Sequence, residues 1–145
     1  MTRTENVQEI VFPDPEERTP AILVVEDEVL IRIALSDYLQ ECGFKVLEAG
    51  NADEALEIIQ HSPVVIDLVF SDVVMPGKLD GFGLAHWIRI NQPGLPIILT
   101  SGDAAKAATA KDLCEREPFM AKPYDLQHLV RRIRTLIDSA RKKSP

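Results

Sequence analysis

Short apolar runs alternate with segments of helical periodicity from residue 21 onward. Apolar runs of about 4 to 8 residues are typical of buried strands, and four of the five runs here are nearly continuous, as in central strands covered by helices on both faces. KVLEA is more polar, which favours a strand at the edge of the sheet. The runs are AILVVE at 21–26, KVLEA at 45–49, VIDLVFSD at 65–72, PIILTS at 96–101 and FMAK at 119–122.

Helix signals separate these runs and complete five rounds of strand followed by helix. With right-handed crossovers, such an alternation predicts an open, doubly wound parallel sheet with helices on both faces. The first predicted helix follows Glu28 and ends near Gly43, and the second opens at Asn51 with Glu54 as its capping partner. The third begins near Asp80, the fourth covers residues 103–117, and the fifth starts at Asp125.

The two ends of the chain differ from this pattern. Residues 1–20 contain three prolines among acidic and small polar residues, which predicts an irregular N-terminal arm. We expect one domain over residues 21–138 and a short basic C-terminal tail over residues 139–145. A chain of 145 residues is long enough to bury one continuous core without disulfides or a structural metal.

Charge and composition exclude several classes of function. The net charge of −7 repels phosphates, so we expect no nucleic-acid and no membrane partner. No apolar run approaches the roughly 20 residues that span a bilayer, and the N-terminus lacks the apolar core of a signal peptide, so we expect a cytoplasmic location. Cys42 and Cys114 form no metal-binding or redox spacing, which favours two free thiols.

Polar side chains follow four of the five predicted strands. Ligands of open α/β sheets bind beyond the carboxyl ends of the strands, so these side chains are expected to share one crevice. The exception is KVLEA, the predicted edge strand, which ends in Ala49. The strand-end residues are Glu26 and Asp27, Asp72, Ser101 and Lys122.

Three carboxylates in one crevice need a cation. At an effective dielectric constant of about 20, each like-charged pair about 4 Å apart costs about 4 kcal/mol. Lys122 supplies one positive charge, and ligation by oxygen alone favours Mg²⁺. An aspartate beside Mg²⁺ and a lysine can attack a phosphoryl group, which makes Asp72 the expected nucleophile. The metal, Lys122 and the hydroxyl of Ser101 can then offset charge on the phosphoryl oxygens.

Five motifs in this order resemble the receiver domain of two-component response regulators. The resemblance covers about residues 21–138 and implies a flavodoxin-like strand order 2-1-3-4-5. The loop from Met75 to Asp80 is one residue longer than the commonest family pattern. The motifs are the acidic pair of VVEDE, the acceptor of SDVVMPG, the pair Asp80-Gly81, the pair Ser101-Gly102 and the dipeptide Lys122-Pro123.

The resemblance implies a metal site and a phosphoacceptor. Asp27 and Asp72 would hold Mg²⁺ directly, Glu26 would do so through water, and the backbone carbonyl of Val74 would complete the protein ligands. Asp72 would take its phosphoryl group from a histidine kinase, a phosphotransfer protein or a small phosphodonor. The protein would catalyse its own phosphorylation and dephosphorylation, with no turnover of an external substrate.

The resemblance also implies a switch and a surface that reports it. Ser101 would move toward the phosphate, Phe119 would be the aromatic switch, and Lys122 would pair with a phosphoryl oxygen. The fourth helix, fifth strand and fifth helix would contact a downstream protein. The chain ends soon after the fifth helix, so we expect a stand-alone receiver, either a monomer or a dimer formed on activation.

Other interpretations of the same residues remain open at this stage. Ser101-Gly102 suits an ordinary turn, and by residue type alone Phe119 suits the core. A phosphatase with an aspartyl-phosphate intermediate is a second hypothesis, although Val74 stands where such enzymes usually carry a second aspartate. A flavin-binding redox module of the same topology is a third, although the carboxylates of EDEVLIR would repel a phosphate.

Overall fold

A computed structural model describes residues 18–103 and 119–143, and these residues form a parallel five-stranded sheet with helices on both of its faces. The strands are β1 (Ala21–Val25), β2 (Lys45–Ala49), β3 (Leu68–Asp72), β4 (Ile97–Ser101) and β5 (Phe119–Ala121). The described helices are α1 (Val29–Glu41), α2 (Ala52–His61), α3 (Gly81–Asn91) and α4 (Leu126–Lys143). The strand order β2-β1-β3-β4-β5 confirms the predicted doubly wound sheet.

The buried side chains form two layers, one on each face of the sheet. In β1, Leu23 and Val25 belong to the layer that contains α2 and α3, whereas Ile22 and Val24 belong to the layer that contains α1 and α4. Successive side chains of a strand point to opposite faces, so a strand covered on both sides must be apolar at every position. This explains the nearly continuous apolar runs.

The two edge strands agree with the sequence pattern to different extents. β2 lies at one edge, as its polar composition predicts. The apolar run at 119–122 taken alone suits a central strand, but β5 lies at the other edge, as the strand order 2-1-3-4-5 implied by the resemblance requires. β5 is only three residues long, and only its middle residue, Met120, is buried. A run this short does not distinguish a central strand from an edge strand.

Side-chain caps start two helices immediately beside the carboxyl edge of the sheet. The Asn51 side chain accepts a hydrogen bond from the Glu54 amide at 2.8 Å, and Glu54 in turn accepts one from the Gly50 amide at 2.7 Å. The Asp80 side chain accepts from the Gly83 amide at 2.9 Å. These contacts satisfy amides that a helix leaves unpaired at its start. They confirm the predicted cap at Asn51 and the predicted start of a helix near Asp80.

Asp67 forms the main charged cluster at the opposite edge of the sheet. Its buried carboxylate pairs with Arg18 and, at 3.6 Å, with Arg141 near the end of α4, and it accepts a hydrogen bond from the Ala21 amide at 2.8 Å. Asp67 therefore ties β1, the start of β3 and α4 together. The signal in the sequence is a single acidic residue inside an otherwise apolar run, VIDLVF.

The arm up to residue 17 and the helix predicted over 103–117, with Cys114, lie outside the described residues, apart from residue 103. Residues 139–143, predicted as tail, continue α4. Over the described ranges, no helix combines the length and the apolar character needed to cross a membrane.

Candidate functional site

Three carboxylates meet at the carboxyl edge of the sheet. Glu26 and Asp27 follow β1, and Asp72 is the last residue of β3, the strand paired with β1. Each offers one carboxylate oxygen, and these oxygens lie within 4.8 Å of one another. Glu26 and Asp72 are buried, with 4% and 8% of their surface exposed, while Asp27 is exposed. The convergence of acids expected from the strand ends is therefore present.

Among the described residues, Lys122 pairs with the carboxylates of this cluster. It follows β5, and its Nζ lies 2.9 Å from Oδ2 of Asp72 and 3.5 Å from Oε1 of Glu26. The peptide bond between Lys122 and Pro123 is cis. One ammonium thus bridges two of the three carboxylates, so the described cluster keeps an excess of negative charge.

Burial and neighbouring charges shift the ionisation of two of these groups. Burial raises the pKa of the Glu26 carboxyl; the hydrogen bond from the Glu28 amide and the attraction of Lys122 oppose this, and repulsion from Asp72 adds to it. Burial alone would lower the pKa of the Lys122 ammonium, but its hydrogen bond and attraction to Asp72, followed by attraction to Glu26, raise the pKa overall. Lys122 is therefore kept charged, whereas burial and the neighbouring Asp72 disfavour the ionised form of Glu26.

Of the other predicted site residues, one ends β4, one starts β5 and one lies in the loop after β3. Ser101 ends β4 and is buried, and its Oγ accepts a hydrogen bond from the Asp103 amide at 3.1 Å, as in an ordinary turn. Phe119 starts β5 and packs, half-buried, against the core layer of α2 and α3. Val74 lies in the loop two residues after Asp72 and is 51% exposed. The roles of Ser101, Phe119 and Val74 remain predictions.

Gly81 brings the start of α3 against the backbone of the acid-bearing strand. Its amide donates to the carbonyl of Val73 at 2.9 Å, and an added Cβ would lie 2.3 Å from the carbonyl oxygen of Asp72. The adjoining loop turns at Gly77, whose φ of +109° is readily adopted only by glycine. Close backbone approach therefore explains the glycine of the Asp80-Gly81 pair.

We expect the substitution Gly81→Ala to lower the free energy of unfolding by about 2 kcal/mol, the usual scale for forcing an extra methyl group into a packed region. The methyl group meets backbone, which has no alternative rotamer. Chemical denaturation monitored by circular dichroism measures the change. Gly83→Ala is the control, because its Cβ would meet the movable side chain of Leu79 at 2.4 Å. Equal losses in the two variants would contradict the explanation.

Sequence reasoning missed Arg32, which contacts the acidic loop from α1. Its Nη1 donates to the backbone carbonyl of Glu26 at 2.7 Å, and its Nε lies 3.1 Å from Oε1 of Glu48 on β2. Arg32 is the only basic residue of α1 and stands between two isoleucines. A lone cation five positions after an acidic pair is the signal that the sequence offers.

Comparison with known proteins gives the same family over most of the chain. The response regulator receiver domain family matches residues 22–134. The chain is 38% identical over 118 residues to the probable transcriptional regulator ycf27 of Cyanophora paradoxa, covering 80% of this chain and 47% of that protein. It is 35% identical over 119 residues to the sensor kinase CckA of Brucella abortus, covering 81% of this chain and 12% of the kinase. The chain thus spans half or less of these relatives.

Solved structures of similar shape carry the same description. A receiver domain protein from Clostridium thermocellum matches with a TM-score of 0.78 at 27% identity, covering 86% of this chain and 99% of that one. The response regulator TrrA of Thermotoga maritima, solved in complex with Mg(2+)-BeF, matches with a TM-score of 0.70 at 30% identity, covering 81% of this chain and 99% of that one. The chain therefore belongs to the response regulator receiver domain family of two-component signalling.

Proposed function

We propose that this receiver domain accepts a phosphoryl group on Asp72 in the presence of Mg²⁺ and thereby switches a protein-binding surface. The observation that carries the proposal is the arrangement around Asp72. One of its oxygens lies 2.9 Å from the Lys122 ammonium, and its carboxylate also shares a cluster within 4.8 Å with Glu26 and Asp27. Asp72 is thus placed between a fixed cation and a group of oxygen donors.

The donor set suits Mg²⁺. The described cluster offers only carboxylate oxygens, which are hard ligands, and the exposure of Asp27 leaves an open side where waters can complete the shell. Asp27 and Asp72 would hold the ion directly, Glu26 would hold it through water, and the carbonyl of Val74 would complete the protein ligands. When bound, the ion supplies positive charge beside the phosphoryl oxygens.

The protein's own groups account for the transfer step. A carboxylate oxygen of Asp72 attacks the phosphorus and forms an acyl phosphate, while the bond from phosphorus to the donor breaks and its electron pair leaves with the donor. The Lys122 ammonium offsets charge on the phosphoryl oxygens, because it already lies beside Asp72. The hydroxyl of Ser101 gives up its bond to the Asp103 amide and turns to the phosphate.

The movement of the Ser101 hydroxyl would change the position of Phe119. That in turn would alter the surface formed by β5, α4 and the helix predicted over 103–117. Arg132 of α4 donates to the carbonyl of Phe119 at 3.3 Å, so β5 and α4 are joined at the residue expected to switch. A downstream protein that contacts this surface would distinguish the two states. That the receiver acts without an attached output domain stays a prediction.

Incubation of the purified protein with Mg²⁺ and acetyl phosphate tests the proposal. We expect the intact mass to increase by one phosphoryl group, which EDTA prevents, and peptide mapping after borohydride reduction to locate it at residue 72. Labelling that is independent of a divalent cation, or at another residue, would contradict the proposal. Catalytic hydrolysis of a generic phosphomonoester would favour the phosphatase hypothesis instead.

The exposed face of α1 is the surface that we assign to a protein phosphodonor. Val29, Leu30 and Ile33 are 53%, 83% and 45% exposed, and α1 begins directly after the acidic loop. Clustered exposed apolar side chains mark sites of protein contact. A phosphohistidine can reach Asp72 only if its protein covers this rim of the sheet. We therefore propose that a histidine kinase or phosphotransfer protein docks on this face.

The donor in this test is a histidine kinase that phosphorylates the wild type. We expect Leu30→Ser to slow phosphotransfer from it about tenfold, the usual scale for a central interface residue. Phosphorylation by acetyl phosphate should be unchanged, because that donor needs no docking surface. Ile90→Ser is the control, since Ile90 is 64% exposed but lies on α3. Equal slowing in both variants, or slowing with both donors, would contradict the assignment.

A further inference from the structure

Arg32 binds the peptide unit that joins the two acids of the loop after β1. Its Nη1 donates to the carbonyl of Glu26 at 2.7 Å, and that carbonyl belongs to the same rigid plane as the amide of Asp27. The orientation of this plane determines where the chain places Asp27. The Arg32 side chain is 19% exposed, so water has limited access to this contact.

The amide and the carboxylate of Glu26 have partners of their own. The amide of Glu26 donates to the carbonyl of Ala49 at 3.0 Å. Its carboxylate accepts from the Glu28 amide at 3.1 Å and lies 3.5 Å from Nζ of Lys122. Once Arg32 holds the carbonyl, every polar group of Glu26 has a partner, and the direction in which the chain leaves toward Asp27 is set.

Glu48 orients the guanidinium that makes this contact. It lies on β2, and its Oε1 is 3.1 Å from Nε of Arg32. A guanidinium is a planar fork, so a contact at Nε fixes the direction of Nη1. The contact with Glu48 therefore orients the Arg32 guanidinium toward the carbonyl of Glu26.

We propose that Arg32 is a positioning residue of the metal site, which holds the loop after β1 so that the carboxylates of Glu26 and Asp27 meet Asp72. The inference rests on the proposed function, because it assumes that this cluster binds Mg²⁺. Like charges of the cluster repel one another in the metal-free protein, so a released loop moves the carboxylates apart. Mg²⁺ binding must then restore the arrangement, and its affinity decreases.

Titration calorimetry with Mg²⁺ tests the proposal on the full chain. We expect Arg32→Lys, which keeps the charge but loses the fork, to weaken Mg²⁺ binding about tenfold, the equivalent of one charge-assisted hydrogen bond. Glu48→Gln should weaken binding less, since its amide oxygen still accepts a hydrogen bond. Arg131→Lys on the exposed face of α4 is the control. Unchanged affinity in Arg32→Lys would overturn the inference.

Two further measurements separate positioning from a general loss of stability. At saturating Mg²⁺, phosphorylation of Arg32→Lys by acetyl phosphate should return to within about twofold of the wild-type rate, since Arg32 has no contact with Asp72 among its hydrogen bonds. In the metal-free protein, the amides of residues 26–28 should exchange hydrogen faster in Arg32→Lys than in the wild type. A rate that stays low at saturating Mg²⁺, or unchanged exchange, would overturn the positioning role.

The outcomes also separate this inference from the proposed function. If the wild type takes up no Mg²⁺, the proposed function fails and this inference fails with it. If the wild type binds Mg²⁺ and Arg32→Lys binds it equally well, the inference alone fails.

Discussion

A protein carrying Asp72→Asn is expected to take up no phosphoryl group from acetyl phosphate in the presence of Mg²⁺. An amide oxygen is a poor nucleophile and does not form a stable acyl phosphate, whereas its size matches that of the carboxylate it replaces. Asp72 is 8% exposed and ends a central strand, so a substitution of equal size is needed to keep the packing of the site. Intact-mass measurement after incubation detects the loss.

The control for this experiment is Asp37→Asn, because Asp37 is an exposed carboxylate on α1 outside the cluster. It should label like the wild type. Thermal unfolding of both variants should remain cooperative, which shows that the absence of labelling reflects chemistry and not loss of the fold. Undiminished labelling of Asp72→Asn would reject Asp72 as the acceptor.

Replacement of Lys122 by methionine is expected to slow phosphorylation of Asp72 by about a hundredfold at saturating Mg²⁺, the scale observed when one preorganised charge-stabilising donor is removed. Methionine keeps most of the length of the stem but loses the ammonium that lies 2.9 Å from Oδ2 of Asp72. The charge on the phosphoryl oxygens is then offset by the metal and the hydroxyl of Ser101 only. Rates of incorporation from acetyl phosphate measure the effect.

The same substitution should leave Mg²⁺ binding equal to that of the wild type or tighter. Removal of the ammonium takes away a competing cation from Asp72 and Glu26, so the cluster becomes more negative. Lys78→Met is the control, since Lys78 is exposed in the loop after Asp72. A Lys122→Met protein that is phosphorylated as fast as the wild type, or that binds no Mg²⁺, would contradict the assigned role.

The elements that depend on local pattern could be predicted from the sequence. The strands lie where the apolar runs stand, and Asn51 and Asp80 cap the helices whose starts they predict. The polar composition of KVLEA agrees with its place at the edge of the sheet. Each of these features depends on a side chain and its near neighbours in sequence, which is why a single chain is enough to predict it.

The convergence of acids could be predicted for a different reason. Parallel strands end at the same edge of a sheet, so residues that end successive strands are brought together whatever the details of packing. Glu26, Asp27 and Asp72 meet within 4.8 Å on this account, and Lys122 reaches them from the end of β5 at 2.9 Å from Asp72. The topology alone places these residues in one crevice.

The supporting contacts could not be predicted in this way. The pattern of α1 predicts only that the Arg32 side chain lies outside the core. Asp67 lies in an apolar run in which its charge has no evident partner. Arg32 contacts Glu26 and Glu48 because α1 packs beside β1 and β2. Asp67 pairs with Arg141 because α4 returns to the other edge of the sheet. Both depend on the distances between elements.

The order of apolar and polar positions by itself determined the strands, the helix caps and the set of acids at the strand ends, because these follow from backbone periodicity and the direction of parallel strands. Only the tertiary structure decided that Gly81 must lack a side chain, that Arg32 contacts the acidic loop, and that Asp67 pairs with Arg141. These features arise where segments distant in sequence come within a few ångströms of one another. The spacing of residues along the chain does not predict such distances.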